Sequence, residues 1–299
     1  MADKFTVVRE PTLWKEPKLP QLLAETRAVM IRNQTKLTRA LIESAPQLLA
    51  IGRVGVGLDN IDVRAATEKG VVIIAPLDAN AVSVAELTIG LMIALARKIP
   101  RADRSTKSGA WDRLGCTGIE MHGKTLTLCG YGRIGRLVAA RANAFGMRTI
   151  IFDPFVKEDD GVAVLTDLRE AAAQADFVSV HTPLTPQTRG MIDARILDAM
   201  KPTAFILNTA RGGIVDETAL LAALQNGKLA GAALDVRDVE PPVGPNPFAA
   251  LDNVILTPHI ASFTIEAQTR TFEAVCADLE RILRGEPAVN FINFPRPRK

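Results

Sequence analysis

Thr125-Leu-Thr-Leu-Cys-Gly130-Tyr-Gly132-Arg133-Ile134-Gly135-Arg136 runs an apolar strand straight into Gly-x-Gly-x-x-Gly, with helical sequence following at once. Each glycine has a physical use there. Gly130 permits the tight turn, Gly132 lets backbone approach a pyrophosphate, and Gly135 lets the helix pack close to the strand. The helix that starts at Arg133 and Ile134 presents free amides and a positive dipole end to the phosphates. The next strand, Arg148–Phe152, ends at Asp153, roughly twenty residues past the glycines, where a ribose acceptor is expected. A carboxylate there accepts from a 2′-hydroxyl and repels a 2′-phosphate. Pro154 and Phe155 follow it, with no arginine, so the expected cofactor is NAD and not NADP.

Outside this motif, short β-branched runs alternate with longer helical patterns, which predicts βαβ units and a parallel sheet. The strands read as Ala28–Ile31, Leu48–Arg53, Val71–Ile74, Leu126–Cys129, Thr149–Phe152, Phe177–Val180, Ala204–Asn208 and Val254–Thr257. The helices read as Ser83–Lys98, Ile134–Phe145 closed by Gly146, Asp216–Asn226 closed by Gly227, and Ile265–Arg284 closed by Gly285. A first α/β block runs to about residue 80, a larger one covers 81–264, and the last helix is expected to return to the first block. That makes the first domain discontinuous, with a cleft between the two.

A chain of 299 residues with 47% apolar and 23% charged residues has a globular balance. Its net charge of +3 argues against a nucleic-acid or membrane-surface role. Arg296, Arg298 and Lys299 read as a frayed, solvated tail. Cys116, Cys129 and Cys276 are scattered, which argues against disulfides or a zinc site and for a reducing, cytoplasmic compartment. No signal peptide is read at the start, and the apolar stretch Leu87–Ala96 is too short to cross a bilayer.

Three histidines are candidates for proton transfer, since imidazole titrates near neutral pH. His122 lies in a polar loop and reads as solvated. His181 and His259 follow strand ends, where open parallel sheets bind ligands. Arg211 stands between a strand end and Gly212-Gly213, Asp235 ends the run from Gly231, and Glu240 precedes Pro241-Pro242. Each alone also fits a duller role: a surface cap for Arg211, a solvated loop acid for Glu240, a buried imidazole for His259.

Taken together, Asn208-Thr-Ala-Arg211-Gly-Gly, Asp235-Val-x-x-x-Glu240-Pro and Thr257-Pro-His259-Ile-Ala resemble the D-isomer-specific 2-hydroxyacid dehydrogenases. His181-Thr-Pro-Leu-Thr-Pro-Gln-Thr188, Val84-Ala-Glu-Leu-Thr88 and Gly52-Arg-Val-Gly-Val-Gly-Leu-Asp-Asn-Ile-Asp62 match the same pattern, so the likeness covers about residues 28–294. It implies a Rossmann-type doubly wound NAD-binding domain (81–264) and a smaller, discontinuous, flavodoxin-like substrate domain (1–80 and 265–299). The implied reaction is hydride transfer between NAD(H) and a small D-2-hydroxy or 2-keto acid, such as phosphoglycerate, hydroxypyruvate or glyoxylate.

The resemblance also implies roles. Arg211 would hold the substrate carboxylate and keto oxygen, and His259 would donate or accept the proton. Glu240 would orient the imidazole and raise its pKa, and Asp235 would hold the nicotinamide carboxamide. Thr88, His181, Thr182, Pro183, Thr188, Thr209, Ala210 and Ala261 would line the cofactor. Backbone amides around Val54, Gly55 and Val56 would take the substrate carboxylate. Arg32 and Arg53 would either hold a second anionic group, such as phosphate or sulfonate, or be surface or interface residues. A homodimer is implied through the Ser83–Lys98 helix and the loop Ile99–Gly118, where Trp111 is an anchor or a local core residue.

The chain departs from the family at its N-terminus, where only Phe5–Arg9 reads as a strand before a stretch broken by Pro11, Pro17 and Pro20. No regulatory domain is expected after Phe294. Two alternatives keep the fold: an NAD(H)-binding corepressor without turnover, and a phosphite dehydrogenase. A formate enzyme is a poor fit, since that group carries glutamine where Glu240 stands.

Overall fold

The structure is a computed structural model that describes residues 5–9, 18–157, 162–165 and 167–295. The chain divides into two compact units, Met1–Asn80 with Ser262–Lys299, and Ala81–Ala261.

The smaller unit holds α1 (Leu19–Ala24), β1 (Ala28–Ile31), α2 (Arg39–Glu43), β2 (Ala50–Arg53), α3 (Val63–Glu68), β3 (Val72–Ile74) and the last helix of the chain, α10 (Ile265–Leu283). Its strands pair in parallel in the order β1-β2-β3. Both faces of this short sheet are apolar. Ile51 and Ile73 pack with Leu23, Ile42 and Ala65 on one side. Ala50 and Ile74 pack with Val275 and Leu279 of α10 on the other. Burying both faces is what a parallel sheet requires.

The larger unit contains α4 (Ala81–Ala96), α5 (Ile99–Lys107), β4 (Thr125–Cys129), α6 (Arg133–Ala144), β5 (Arg148–Phe152), β6 (Ala163–Val164), α7 (Leu168–Gln174), β7 (Phe177–Val180), α8 (Ala194–Ala199), β8 (Phe205–Asn208), α9 (Glu217–Gln225), β9 (Gly231–Leu234) and β10 (Val254–Leu256). Its parallel sheet has the order β10-β9-β8-β7-β4-β5-β6, reversing direction of growth at β4. Strand residues alternate between two cores. Ile206 and Leu234 join helices α7, α8 and α9 on one face. Phe205, Leu207 and Ala233 join α4 and α6 on the other. Phe177 and Phe205 stack at 5.2 Å between ring centroids.

Several expectations are corrected. Phe5–Arg9 forms no strand; Val7 and Val8 are exposed, so nothing covers the side chains a strand would bury. Pro11, Pro17 and the tail Arg296, Arg298 and Lys299 lie outside the described residues, whereas Pro20 sits in the first turn of α1, a position where its missing amide costs nothing. The supposed loop Ile99–Gly118 begins as helix α5, because Pro100 starts a helix as readily as it ends one. Trp111 is 80% exposed, so it is no core residue. The strand β6 was missed; two residues carry no periodicity. Among the described residues, no helix is long and apolar enough to cross a membrane, and no group of three or more His, Cys, Asp or Glu could hold a metal ion.

Candidate active site

The turn between β4 and α6 is built on close approach. Gly130 has φ +101, and the carbonyl of His181 lies 2.9 Å from where its Cβ would be. A Cβ on Gly135 would meet the Gly130 carbonyl oxygen at 2.3 Å, so only glycine lets the helix sit this tightly on the turn. Gly132 is the N-cap of α6, with no side chain capping the helix and no acid in its first turn. The first amides of a helix have no partner inside it, and the space above Gly132 is open. Beside this turn, His181 Nδ1 and Thr182 Oγ1 are buried without a hydrogen-bond partner among the described residues. Amides without a partner inside the helix, open space and two orphaned polar atoms fit a dinucleotide.

Asp153 lies at the end of β5. Its Oδ2 accepts from the Tyr131 amide at 2.7 Å and its Oδ1 from the Phe155 amide at 2.8 Å. The carboxylate is thereby aimed beside the glycine turn. His181 is held by Ser179, whose Oγ is 2.9 Å from Nε2. The residue is partly exposed, but Nδ1 is not. Burial therefore pushes the imidazole pKa down to about 4. Thr188 ties the following loop together, donating to the Pro183 carbonyl at 2.6 Å and accepting from the Thr185 amide at 2.8 Å. Thr88 has no exposed surface. Its hydroxyl is spent on the Val84 carbonyl and on Thr209 Oγ1, at 3.0 Å, so it steadies the β8 turn from beneath.

At the end of β8, Asn208 is buried and braces the turn that presents Arg211. Its Nδ2 donates to the Arg211 carbonyl at 2.8 Å, and its Oδ1 accepts from the Ala210 amide at 3.1 Å. Arg211 Nη1 donates to the Ala210 carbonyl at 2.6 Å.

Asp235, just past β9, is 1% exposed. Its carboxylate accepts from Thr257 Oγ1 at 2.5 Å and from the Ile260 and Ala261 amides, each at 2.9 Å. Its carbonyl accepts from the His259 amide at 2.8 Å. All three donors to the carboxylate come from the segment after β10, so Asp235 shapes the turn carrying His259. His259 has φ +54, a left-handed conformation that costs a side-chain-bearing residue free energy. Its Nδ1 lies 2.5 Å from Glu240 Oε2. Glu240 Oε1 accepts from the Arg237 amide at 2.9 Å. Desolvation would raise the Glu240 pKa, but the His259 hydrogen bond, the Arg237 amide and the charges of His259 and Arg211 outweigh it and hold the carboxyl below its usual range. Both Arg211 and His259 thus act on one carboxylate.

In the smaller unit, Arg53 is buried and donates to the Gly57 carbonyl at 2.9 Å and the Val54 carbonyl at 2.7 Å. A guanidinium so committed holds its own loop, and its burial departs from the alternative of an exposed surface residue. Arg32 is exposed. The Val54 amide is used by the Ile31 carbonyl and the Gly55 amide by the Arg53 carbonyl. The amides of Val56 and Gly57 have no partner among the described residues.

Residues 89–261 match the family described as D-isomer specific 2-hydroxyacid dehydrogenase, NAD binding domain. The chain belongs to the D-isomer-specific 2-hydroxyacid dehydrogenases. This family of NAD-linked oxidoreductases includes relatives named D-3-phosphoglycerate dehydrogenase. That of Methanocaldococcus jannaschii is 49% identical over 282 residues, covering 93% of this chain and 54% of the relative. That of Archaeoglobus fulgidus is 44% identical over 271 residues, covering 90% of this chain and 51% of the relative. The chain spans about half the length of the curated relatives it matches. Among solved structures, D-lactate dehydrogenase from Aquifex aeolicus, complexed with NAD and lactic acid, superposes with a TM-score of 0.85 at 30% identity, covering 93% of this chain and 90% of that chain.

The fold thus brings Gly130, Asp153, His181 and Thr182 together around the glycine turn, and Arg211, Glu240 and His259 around another point of the same sheet. Asn208 and Arg237 escaped the sequence reading as functional residues. Asn208 sits in the quoted motif, and a buried amide at a strand end is a signal that could have marked it.

Proposed function

We propose that this chain transfers a hydride reversibly between NAD(H) and a small D-2-hydroxy acid or its 2-keto counterpart. The observation that carries this reading is the Glu240–His259 contact of 2.5 Å, formed beside the Arg211 charge. Arg211 would bind the substrate carboxylate through its planar fork and polarise the carbonyl. His259, oriented through Nδ1, would deliver its Nε2 proton to the developing alkoxide in reduction and take it back in oxidation. Glu240 would stabilise the imidazolium between those events. Bound dihydronicotinamide would supply the hydride. Gly130–Gly135 and the α6 amides would hold the pyrophosphate, and Asp153 the ribose.

For substrate, we favour an acid with a second anionic group, on the strength of the relatives' names and of the exposed Arg32 at the end of β1. The Val56 and Gly57 amides would take one anion of the substrate. The exposed Trp111 and Leu114, at 80% and 88%, support a homodimer interface on that segment. Three free cysteines are compatible with a reducing, cytoplasmic setting.

A panel of phosphohydroxypyruvate, hydroxypyruvate, glyoxylate and pyruvate with NADH tests the reading. NADH oxidation with at least one acid is expected. NADH binding with turnover of none would leave a binding protein in its place.

A further inference from the structure

A second layer of charge lies behind the acid–base pair, and the proposed mechanism does not use it. Arg237 follows β9 and is nearly buried, with its side chain 12% exposed. Its guanidinium grips Glu217, at the start of α9, with two prongs: Nε to Oε1 at 3.0 Å and Nη2 to Oε2 at 2.8 Å. The same Glu217 Oε1 accepts from the Asp238 amide at 2.8 Å. Beneath the pair, the guanidinium lies over the buried ring of Phe248, 5.0 Å from its centroid. A planar fork held on three sides fixes the backbone from which it springs.

That backbone reaches both halves of the site. The Arg237 amide donates to Glu240 Oε1 at 2.9 Å, on the carboxylate whose other oxygen meets His259. The Asp238 carboxylate accepts from the Gly213 amide at 2.5 Å, and a Cβ on Gly212 would meet the Arg237 carbonyl oxygen at 1.9 Å. The segment that aims Glu240 therefore also packs against the glycine pair that follows Arg211. The charged groups facing it are Asp216 and Glu217 from α9, Asp238 and Glu240 from the loop itself, and Arg211 and His259 from the two neighbouring turns.

We propose that Glu217 and Arg237 form a clamp of positioning residues that holds Glu240 against His259 and keeps the Arg211 turn in register with it. The clamp touches no reacting atom; it acts through the backbone of residues 237–240. The proposal rests on the acid–base reading of the His259–Glu240 pair.

Arg237→Gln, Glu217→Gln and the double variant of the full chain test it in three ways. Displacing a catalytic group by a fraction of an ångström costs rate more than binding. So kcat for 2-keto acid reduction should fall roughly tenfold, with the KM for NADH unchanged. The alkaline limb of the pH–rate profile should move to lower pH. The double variant should lose no more than the worse single, since the two residues act as one unit. Arg237→Lys, which keeps the charge without the fork, should recover only part of the rate and covers the case in which glutamine prevents folding. Wild-type kcat and an unmoved limb in Arg237→Gln, with only a lowered Tm, would reduce the pair to a structural brace and overturn the proposal.

A separate readout distinguishes failure of the clamp from failure of the activity reading. The Nδ1 proton of His259, followed by NMR in histidine-labelled protein, should show a downfield resonance that Glu240→Gln removes. If the wild type turns over no acid on the panel, the activity reading falls, yet loss of this resonance in Arg237→Gln still supports the clamp. An unchanged resonance overturns it.

Discussion

Glu240 Oε2 lies 2.5 Å from Nδ1 of His259 across a gap of nineteen residues in sequence. The contact fixes the ring and leaves Nε2 as the nitrogen available to a substrate. Replacing His259 by alanine should therefore cut kcat by about a hundredfold or more, the scale of lost acid–base catalysis, while NADH still quenches intrinsic fluorescence with an unchanged Kd. Glu240→Gln should keep measurable turnover but shift the pH–rate limb. The Glu240 carboxyl is held below its usual range, so the wild-type pair should survive acidification until the pH falls through that depressed value. A limb at the same pH in Glu240→Gln would separate the two residues mechanistically.

Asp153 accepts two backbone hydrogen bonds beside the glycine turn. A 2′-phosphate there would meet a carboxylate head on. The ratio of kcat/KM for NADH over NADPH should exceed about a hundred, equivalent to roughly 3 kcal/mol, and Asp153→Ser should narrow it at least tenfold. Comparable use of both cofactors by the wild type would show that other groups receive the phosphate.

The His181 ring, with its Nδ1 buried, makes a specific claim about stability. Its folded pKa of about 4 lies below the ordinary 6.5, so the folded state refuses a proton that the unfolded chain accepts. Stability is therefore whole above about pH 6.5 and drains as pH falls from there toward 4. Between pH 7 and pH 5 the loss attributable to this one ring is up to about 2 kcal/mol. Urea melts of the wild type and His181→Gln at both pH values give the difference directly. If the two lose stability in parallel, the imidazole is not titrating as its burial dictates.

The anion question turns on which arginine is free. Arg53 spends its fork on the Gly57 and Val54 carbonyls, and Arg32 is exposed. Arg32→Ala should raise KM for phosphohydroxypyruvate roughly tenfold, the value of one charge-assisted contact, and leave KM for glyoxylate alone. Arg53→Ala should instead lower the Tm. Equal KM changes for both acids in Arg32→Ala would remove the second-anion reading.

Much of this architecture was legible beforehand, for identifiable reasons. The strands Phe177–Val180 and Phe205–Asn208 are buried on both faces, so they appear as mostly apolar runs, with Ser179 and Asn208 the polar exceptions. Gly130 and Gly135 announce themselves because contacts under 3 Å exclude any side chain. Helix α5 was not legible: it buries no residue, so it has no apolar stripe to detect. The direction of a guanidinium was not legible either. Arg53 and Arg32 look alike as letters, and only the local backbone shows that one turns inward. Arg211, Glu240 and His259 could be paired from family likeness, but the Glu217–Arg237 contact joins residues twenty apart, from the start of α9 to the segment after β9, and has no local pattern.

The backbone of His259 has one more consequence. At φ +54 it occupies a conformation that glycine adopts freely, and the Asp235 contacts restrain it there. A selection for heat resistance alone should therefore favour His259→Gly over His259→Ala, with a gain on the order of 1 kcal/mol. Every such survivor would lose turnover by about a hundredfold or more. At this position the demands of durability and of the proposed chemistry point to different amino acids.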